Sequence, residues 1–244
     1  MRNYLSFGGG VNSVALHLLL IEQGVDFESV FSYHGGDWPE TYNYVTGFQW
    51  WLKKNGHRPI TILKPDIGTV EKERFSNIYD FYKFKKCVPS VFSRICTKRF
   101  KIEVIHKYAK KPCFMMIGID KGEEKRAKIK SDGKIEYRWP LLEQEICREG
   151  CKEIIHRYSL PLPIKSGCYF CPFQSISQWK SLRISHPDLF CKAEKLEQIA
   201  AERATKNNRK PYFLNGNNRI RLRINENQLQ LFEQDEYPPC ECGL

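Results

Sequence analysis

Tyr4-Leu5-Ser6-Phe7-Gly8-Gly9-Gly10-Val11-Asn12-Ser13-Val14-Ala15-Leu16 joins a short apolar run to a helical one through three consecutive glycines. Tyr4 to Phe7 reads as a strand. From Ser13 onward, Val14 to Leu20 reads as a helix that stops near Gly24. A strand that enters a helix through a glycine turn opens a crossover unit, and crossover units build parallel sheets.

The chain repeats the alternation further along. Phe27 to Tyr33 reads as a second strand and Pro39-Glu40-Thr41 as the start of a helix that ends near Asn55-Gly56. Pro59 to Leu63 reads as a third strand, and Cys113 to Ile119 as a buried one. The expected fold is α/β, a mostly parallel Rossmann-like sheet over residues 1–140. After Trp139-Pro140-Leu141 the chain reads as helical to about Arg157, passes a Pro- and Cys-rich loop at 161–173, and is helical again from Ser175 to about Thr205. Residues 141–224 are thus expected to complete the domain as a helical, cysteine-bearing segment, and 225–244 to form a flexible tail.

Composition narrows the class. The 244 residues are 41% hydrophobic and 27% charged, which excludes a disordered chain. No apolar run reaches the roughly 18 residues of a membrane span. Gly8-Gly9-Gly10 interrupts the first apolar stretch, so no secretory signal is expected there. The expected location is the cytoplasm, with no membrane partner. The net charge is +11, and residues 83–138 hold 17 basic against 6 acidic residues, so this stretch accounts for the whole excess. Such clustering suits an anionic partner, a nucleotide, a sulfate ester or a nucleic acid, although a solvated surface gives the same count. Ten cysteines are too few for a disulfide scaffold; in a reducing compartment they point to metal or thiol chemistry.

The glycine run has the physics of an anion cradle. Glycines let backbone approach a ligand closely, and the following helix offers free N–H groups and the positive end of its dipole. No Gly-Lys-Ser/Thr follows, so it is not a Walker loop. A tight turn with no ligand is the plainer alternative.

These residues resemble the pyrophosphate loop of the adenine-nucleotide alpha-hydrolase (PP-loop) superfamily, and within it the phosphoadenylyl-sulfate (PAPS) reductase family. Gly9, Gly10 and Ser13 match, while Gly8, Val11 and Asn12 stand for the usual Ser, Lys and Asp. Asn12 in place of that Asp weighs against ATP cleavage more than against nucleotide binding. Further matches follow in order. His34-Gly35-Gly36-Asp37-Trp38-Pro39-Glu40-Thr41 has His34 for the family's Asp. Arg94 to Lys101 resembles its Cys-Thr…Lys segment. Gly118-Ile119-Asp120 through Arg126 has Asp120 for an Arg, and Tyr137-Arg138-Trp139-Pro140-Leu141 is similar to its Tyr-x-Pro-Leu. The resemblance implies nucleotide binding by Ser6, Phe7, Gly8, Gly9, Gly10, Asn12, Ser13, His34, Gly118, Arg99 and Arg126, with magnesium where ATP is the ligand. Lys98 and Lys101 offer further positive charge.

Cys168-Tyr169-Phe170-Cys171 has the spacing of two metal ligands or a redox pair. Cys147 and Cys151 lie four apart on an expected helix and so on one face. The resemblance implies Cys96, Cys151, Cys168 and Cys171 as the ligands of a [4Fe-4S] cluster, with zinc as the alternative metal. Cys87, Cys113 and Cys191 read as core or incidental thiols. At the end, Glu241-Cys242-Gly243-Leu244 is similar to the family's terminal Glu-Cys-Gly-Leu, which implies Cys242 as the nucleophile and a thioredoxin-like reductant as partner. Cys240 lies two residues before it.

Three functions follow as expectations. One is a PAPS reductase-like enzyme of sulfur chemistry that binds adenylyl sulfate or ATP near an iron–sulfur cluster. Another is an ATP-dependent enzyme that thiolates nucleic acid, using a sulfur donor. The third is a non-catalytic protein that binds nucleotide or nucleic acid.

Overall fold

The five-residue strand β1 (Arg2–Ser6) sits at the centre of the sheet, and its alternation sets the layers. The computed structural model describes residues 1–128, 131–164, 166–214 and 219–224. After β1 come α1 (Val11–Glu22), β2 (Glu28–Ser32), α2 (Pro39–Lys54) and β3 (Thr61–Leu63), then a two-strand ribbon of β4 (Ile67–Gly68) and β5 (Arg74–Phe75). Next are α3 (Ile78–Lys85), α4 (Ile95–Thr97), a π turn at Lys98–Ile102, α5 (Glu103–Tyr108) and β6 (Cys113–Ile117). A 3-10 segment, Lys121–Arg126, leads to β7 (Ile135–Arg138), α6 (Pro140–Glu143), α7 (Arg148–Arg157), α8 (Ile176–Ser185), α9 (Pro187–Lys206) and α10 (Ile220–Arg223).

The main sheet has five strands in the order β3-β2-β1-β6-β7, all parallel. Successive side chains of a strand take opposite faces. Leu5, Phe31 and Met116 face a core closed by α1, α2 and α7. Tyr4, Val30 and Met115 face a second core closed by α5, through Ile105 and Ala109. The fold is therefore α/β with helices on both faces of a parallel sheet. Because β2 and β6 flank β1 on opposite sides, the strand order reverses at β1, and the crevice outside the carboxyl ends of β1 and β6 is where such sheets take ligands.

A third core stands beside the sheet. It joins α3, α8, α9 and the Cys168–Cys171 segment through Ile78, Phe81, Tyr82, Phe170, Trp179 and Leu196. The helical residues after 140 thus divide their packing: Leu141, Cys151 and Ile154 close the sheet, while α8 and α9 build the separate core.

The structure breaks two stretches that read as continuous helix. His186 precedes Pro187, whose ring disfavours helical backbone at the residue before it, so α8 and α9 are two helices. Glu145 is left-handed (φ 57°), which separates α6 from α7. The short strand β7 escapes a sequence reading because only Ile135 and Tyr137 point inward, while Arg138 is exposed. Among the described residues, no helix is long and apolar enough to cross a membrane.

Candidate functional site

The glycine turn lies over the β1/β6 crevice. Phe7 closes β1: its N–H donates to Val30 O (3.0 Å), and its buried ring stacks on Phe48 at 5.8 Å. Gly9 has φ +74°, and a Cβ there would lie 3.1 Å from both Thr41 Cγ2 and Val45 Cγ2. Gly10 caps α1 with no side-chain acceptor, and its carbonyl accepts from Ser13 Oγ (2.9 Å) and Val14 N (3.0 Å). The first turn of α1 holds no acidic residue, so the positive helix end is not neutralised from within the helix. Gly8 is exposed and faces open space. Ser6, half-buried, ends β1 behind it. Gly118, just beyond β6, completes the crevice: a Cβ there would lie 2.8 Å from the carbonyl of Asn12 and 2.9 Å from Ser13 N, so only glycine lets the two segments meet.

One flank of the loop is a buried polar network. The Asn12 amide donates to Asp120 Oδ2 (3.0 Å) and Glu123 Oε2 (3.1 Å), while its oxygen accepts from Arg148 Nη1 at 2.7 Å. Two carboxylates and one guanidinium fix which way this amide points. Asp120 also accepts from Gly122 N at 2.9 Å, and Glu123 is paired with Arg126. Burial holds the Glu123 carboxyl above its usual range, partly offset by Arg126. Arg126 is thus committed to Glu123. Arg99 is committed elsewhere as well: it donates to Gly68 O (2.6 Å) and lies over the Phe81 ring, fastening the β4–β5 ribbon to α3.

The other flank carries thiols. A Cβ on Gly10 would lie 2.6 Å from Ser166 Oγ, so the cysteine segment folds directly against the loop. It then pairs with the residues after β2: Trp38 N donates to Gly167 O (3.0 Å), Tyr169 N to Gly36 O (2.9 Å), and Asp37 and Cys168 form an antiparallel bridge. His34, fully buried, stands at the end of this segment. Gly36 N donates to its Nδ1 (3.2 Å), so Nε2 carries the proton, and it faces Asp37 Oδ2 at 3.3 Å without a well-aligned hydrogen bond. Burial lowers the His34 pKa to about 4, with Asp37 opposing that shift and Lys101 adding to it. Asp37 Oδ1 is 3.8 Å from Lys101 Nζ and accepts from Cys168 Sγ at 3.8 Å.

His34, Asp37 and Cys168 are the one group of three among the described residues whose ligand atoms lie within 4.8 Å of one another. As folded it is a neutral imidazole beside a carboxylate. An ion at Nε2 would drive the ring proton to Nδ1, against the Gly36 N–H, and Lys101 already supplies a positive charge to Asp37.

The four cysteines expected as ligands are not brought together as one set. Cys168 and Cys171 form a turn, with Cys171 N donating to Cys168 O (3.1 Å). Cys96 packs on the same third core. Cys151 lies in the sheet core against α1, and burial pushes its thiol up to about 12, aided by the nearby Asp120. The two-cysteine face expected at Cys147 and Cys151 also changes, because α7 begins only after Cys147, which is exposed. Cys240 and Cys242 lie outside the described residues.

Arg148 carried no signal in the sequence, since it reaches Asn12 across 136 positions. Asp37 and Tyr82 were likewise silent, one within a matched segment and the other as one aromatic among many. No protein-family model matches the chain, and no curated protein matches it.

Proposed function

We propose that the chain is an enzyme of sulfur chemistry, similar to the PAPS reductases, that binds an adenine nucleotide (adenylyl sulfate or ATP) at the glycine loop. The observation that carries this reading is the contact of Ser166, two residues before Cys168, with Gly10. It sets the chain that leads into a pair of thiols beside a glycine turn of the kind that can cradle an anion at the crevice of a parallel sheet. Asn12, held by Asp120, Glu123 and Arg148, is turned away from the role of a free acidic metal ligand, which favours binding of an adenylyl sulfate over ATP cleavage. Cys96 and the Phe170 between Cys168 and Cys171 pack in one core, beside which an iron–sulfur cluster would be held, and Cys151 packs in another. Such a cluster supplies local charge that tunes the binding of an anionic substrate.

The exposed Lys98, Lys107, Lys110, Lys121 and Lys125 of the basic stretch favour a second reading, nucleic-acid thiolation, in which phosphate contacts supply the affinity.

Calorimetry with adenosine phosphosulfate, PAPS, AMP, magnesium–ATP and a short DNA or RNA tests both readings. Gly8→Asp places a carboxylate in open space, where the fold tolerates it but an anion in the loop does not. The expected result is nucleotide binding weakened about tenfold or more by this change, or about 1.4 kcal/mol. No binding of any adenine nucleotide to the wild type rules out the first reading. Salt-dependent nucleic-acid binding together with magnesium–ATP binding moves the assignment to the second, and binding with no turnover in either assay moves it to a non-catalytic protein.

A further inference from the structure

We infer that the four thiols able to hold a cluster beside the glycine loop are Cys87, Cys96, Cys168 and Cys171, with Cys87 in the place that the resemblance gives to Cys151. The inference rests on the proposed cluster chemistry and deepens it by naming the ligand set.

Four observations bring these residues to one point, the buried Tyr82 of α3. Cys87 N donates to Tyr82 O at 3.2 Å, just past the left-handed Lys86 that ends the helix (φ 50°). Phe170, between Cys168 and Cys171, packs its ring edge-on to Tyr82 with centroids 6.2 Å apart. Cys87 and Cys96 both pack, half-buried, on the core that contains Tyr82 and Phe170. Burial holds the Tyr82 phenol above its usual range, and the Cys96, Cys87 and Cys168 thiols around it add to that shift.

The backbone around Cys96 is also unusual. Arg94 is left-handed (φ 44°), and the π turn Lys98–Ile102 follows directly. Irregularities of both kinds gather at functional sites because the surroundings must hold a side chain where regular helix would not.

The cores separate Cys87 from Cys151. Cys151 is walled into the sheet core, whereas Cys87 and Cys96 pack on the third core, to which Phe170 joins the Cys168–Cys171 turn. The four sulfurs do not close to within 4.8 Å of one another, so they are not preset around a single tetrahedral ion, and cluster thiolates, bound to different irons, sit further apart.

The test uses the full chain purified without oxygen, with iron and acid-labile sulfide measured per chain in the wild type and in Cys87→Ser, Cys168→Ser and Cys151→Ser. Removing a ligand should cost at least as much as removing an outer-shell partner, so Cys87→Ser and Cys168→Ser are expected to retain about tenfold less iron while Cys151→Ser keeps the wild-type content. Thiol alkylation followed by mass spectrometry on the wild type alone covers the case in which a variant misfolds. Cys87 should be shielded in the loaded chain and should react once iron is chelated, while Cys151 should react equally in both states. Iron retained by a folded Cys87→Ser, or Cys87 reacting equally before and after chelation, overturns this ligand set and leaves the cluster reading standing. A wild type without iron and sulfide overturns the cluster reading and this inference with it.

Discussion

The two flanks of the glycine loop solve opposite problems. Toward β6 and α7, Asn12, Asp120, Glu123, Arg126 and Arg148 form a buried set in which each carboxylate faces a donor. Toward α2 and the cysteine segment, His34 Nε2 is buried with no well-aligned partner, Asp37 is shared among three groups, and thiols stand nearby. Buried polar groups that satisfy one another are rigid, and those that do not are costly unless a function keeps them. The first flank holds Asn12 between two carboxylates and a guanidinium, leaving only Arg126 Nε buried without a partner among the described residues, whereas the second keeps a whole buried imidazole N–H unaligned beside a shared carboxylate.

Asn12→Asp should break the first flank most severely. The new carboxylate replaces an amide that donates to two carboxylates, leaving three acids against two guanidiniums, of which Arg126 is already paired with Glu123. The expected loss is about 3–4 kcal/mol in chemical denaturation, the scale of an uncompensated buried charge. Pairing it with Asp120→Asn returns an amide to the set and should recover more than half of the loss. If Asn12→Asp costs nothing, the network does not position the loop.

The next effect compares glycines that touch the loop from either side. At Gly118 a methyl group meets the backbone of Asn12 and Ser13, which cannot rotate away. Gly118→Ala should therefore cost about 2–3 kcal/mol by overpacking and weaken nucleotide binding. At Gly10 the methyl meets only the Ser166 hydroxyl, a side chain free to change rotamer. Gly10→Ala should stay within about 1 kcal/mol. Equal losses in thermal and denaturant unfolding would show that the cysteine flank is as rigid as the other.

The legible parts of this site were those written locally. The turn at Gly8-Gly9-Gly10 and the alternation around it place a parallel sheet because period and glycine chemistry act over a few residues. The partners of Asn12 are not local: Asp120, Glu123 and Arg148 arrive from the far side of the sheet. The same limit misdirects the thiols. Four-residue spacing puts Cys147 and Cys151 on one helical face only if the helix spans both, and it does not say which core that face meets. Nor does any spacing show that Cys87 and Cys96 pack on one core around the buried Tyr82.

The smallest effect is a difference in pH dependence between the flanks. His34 titrates at about 4 when folded, against an ordinary value of 6.5. Its contribution to stability is therefore complete above pH 6.5 and is lost as pH falls toward 4, because the unfolded chain takes up the proton first. Glu123 is shifted the other way by burial, so its contribution is complete below its ordinary 4.5 and is lost as pH rises through the folded value. His34→Asn keeps an acceptor for Gly36 N–H and removes the titration, and Glu123→Gln does the same on the opposite flank. The unfolding free energy of wild type minus that of His34→Asn should fall by roughly 1–2 kcal/mol from pH 7 to pH 5. The corresponding Glu123→Gln difference should rise over the same range. His17, which burial lowers to about 3, and Glu197, which burial raises to about 7, titrate alike in all three proteins and cancel in the differences. Two slopes of the same sign would mean that burial does not shift the two proton equilibria in opposite directions, and the contrast between the flanks would fail with that result.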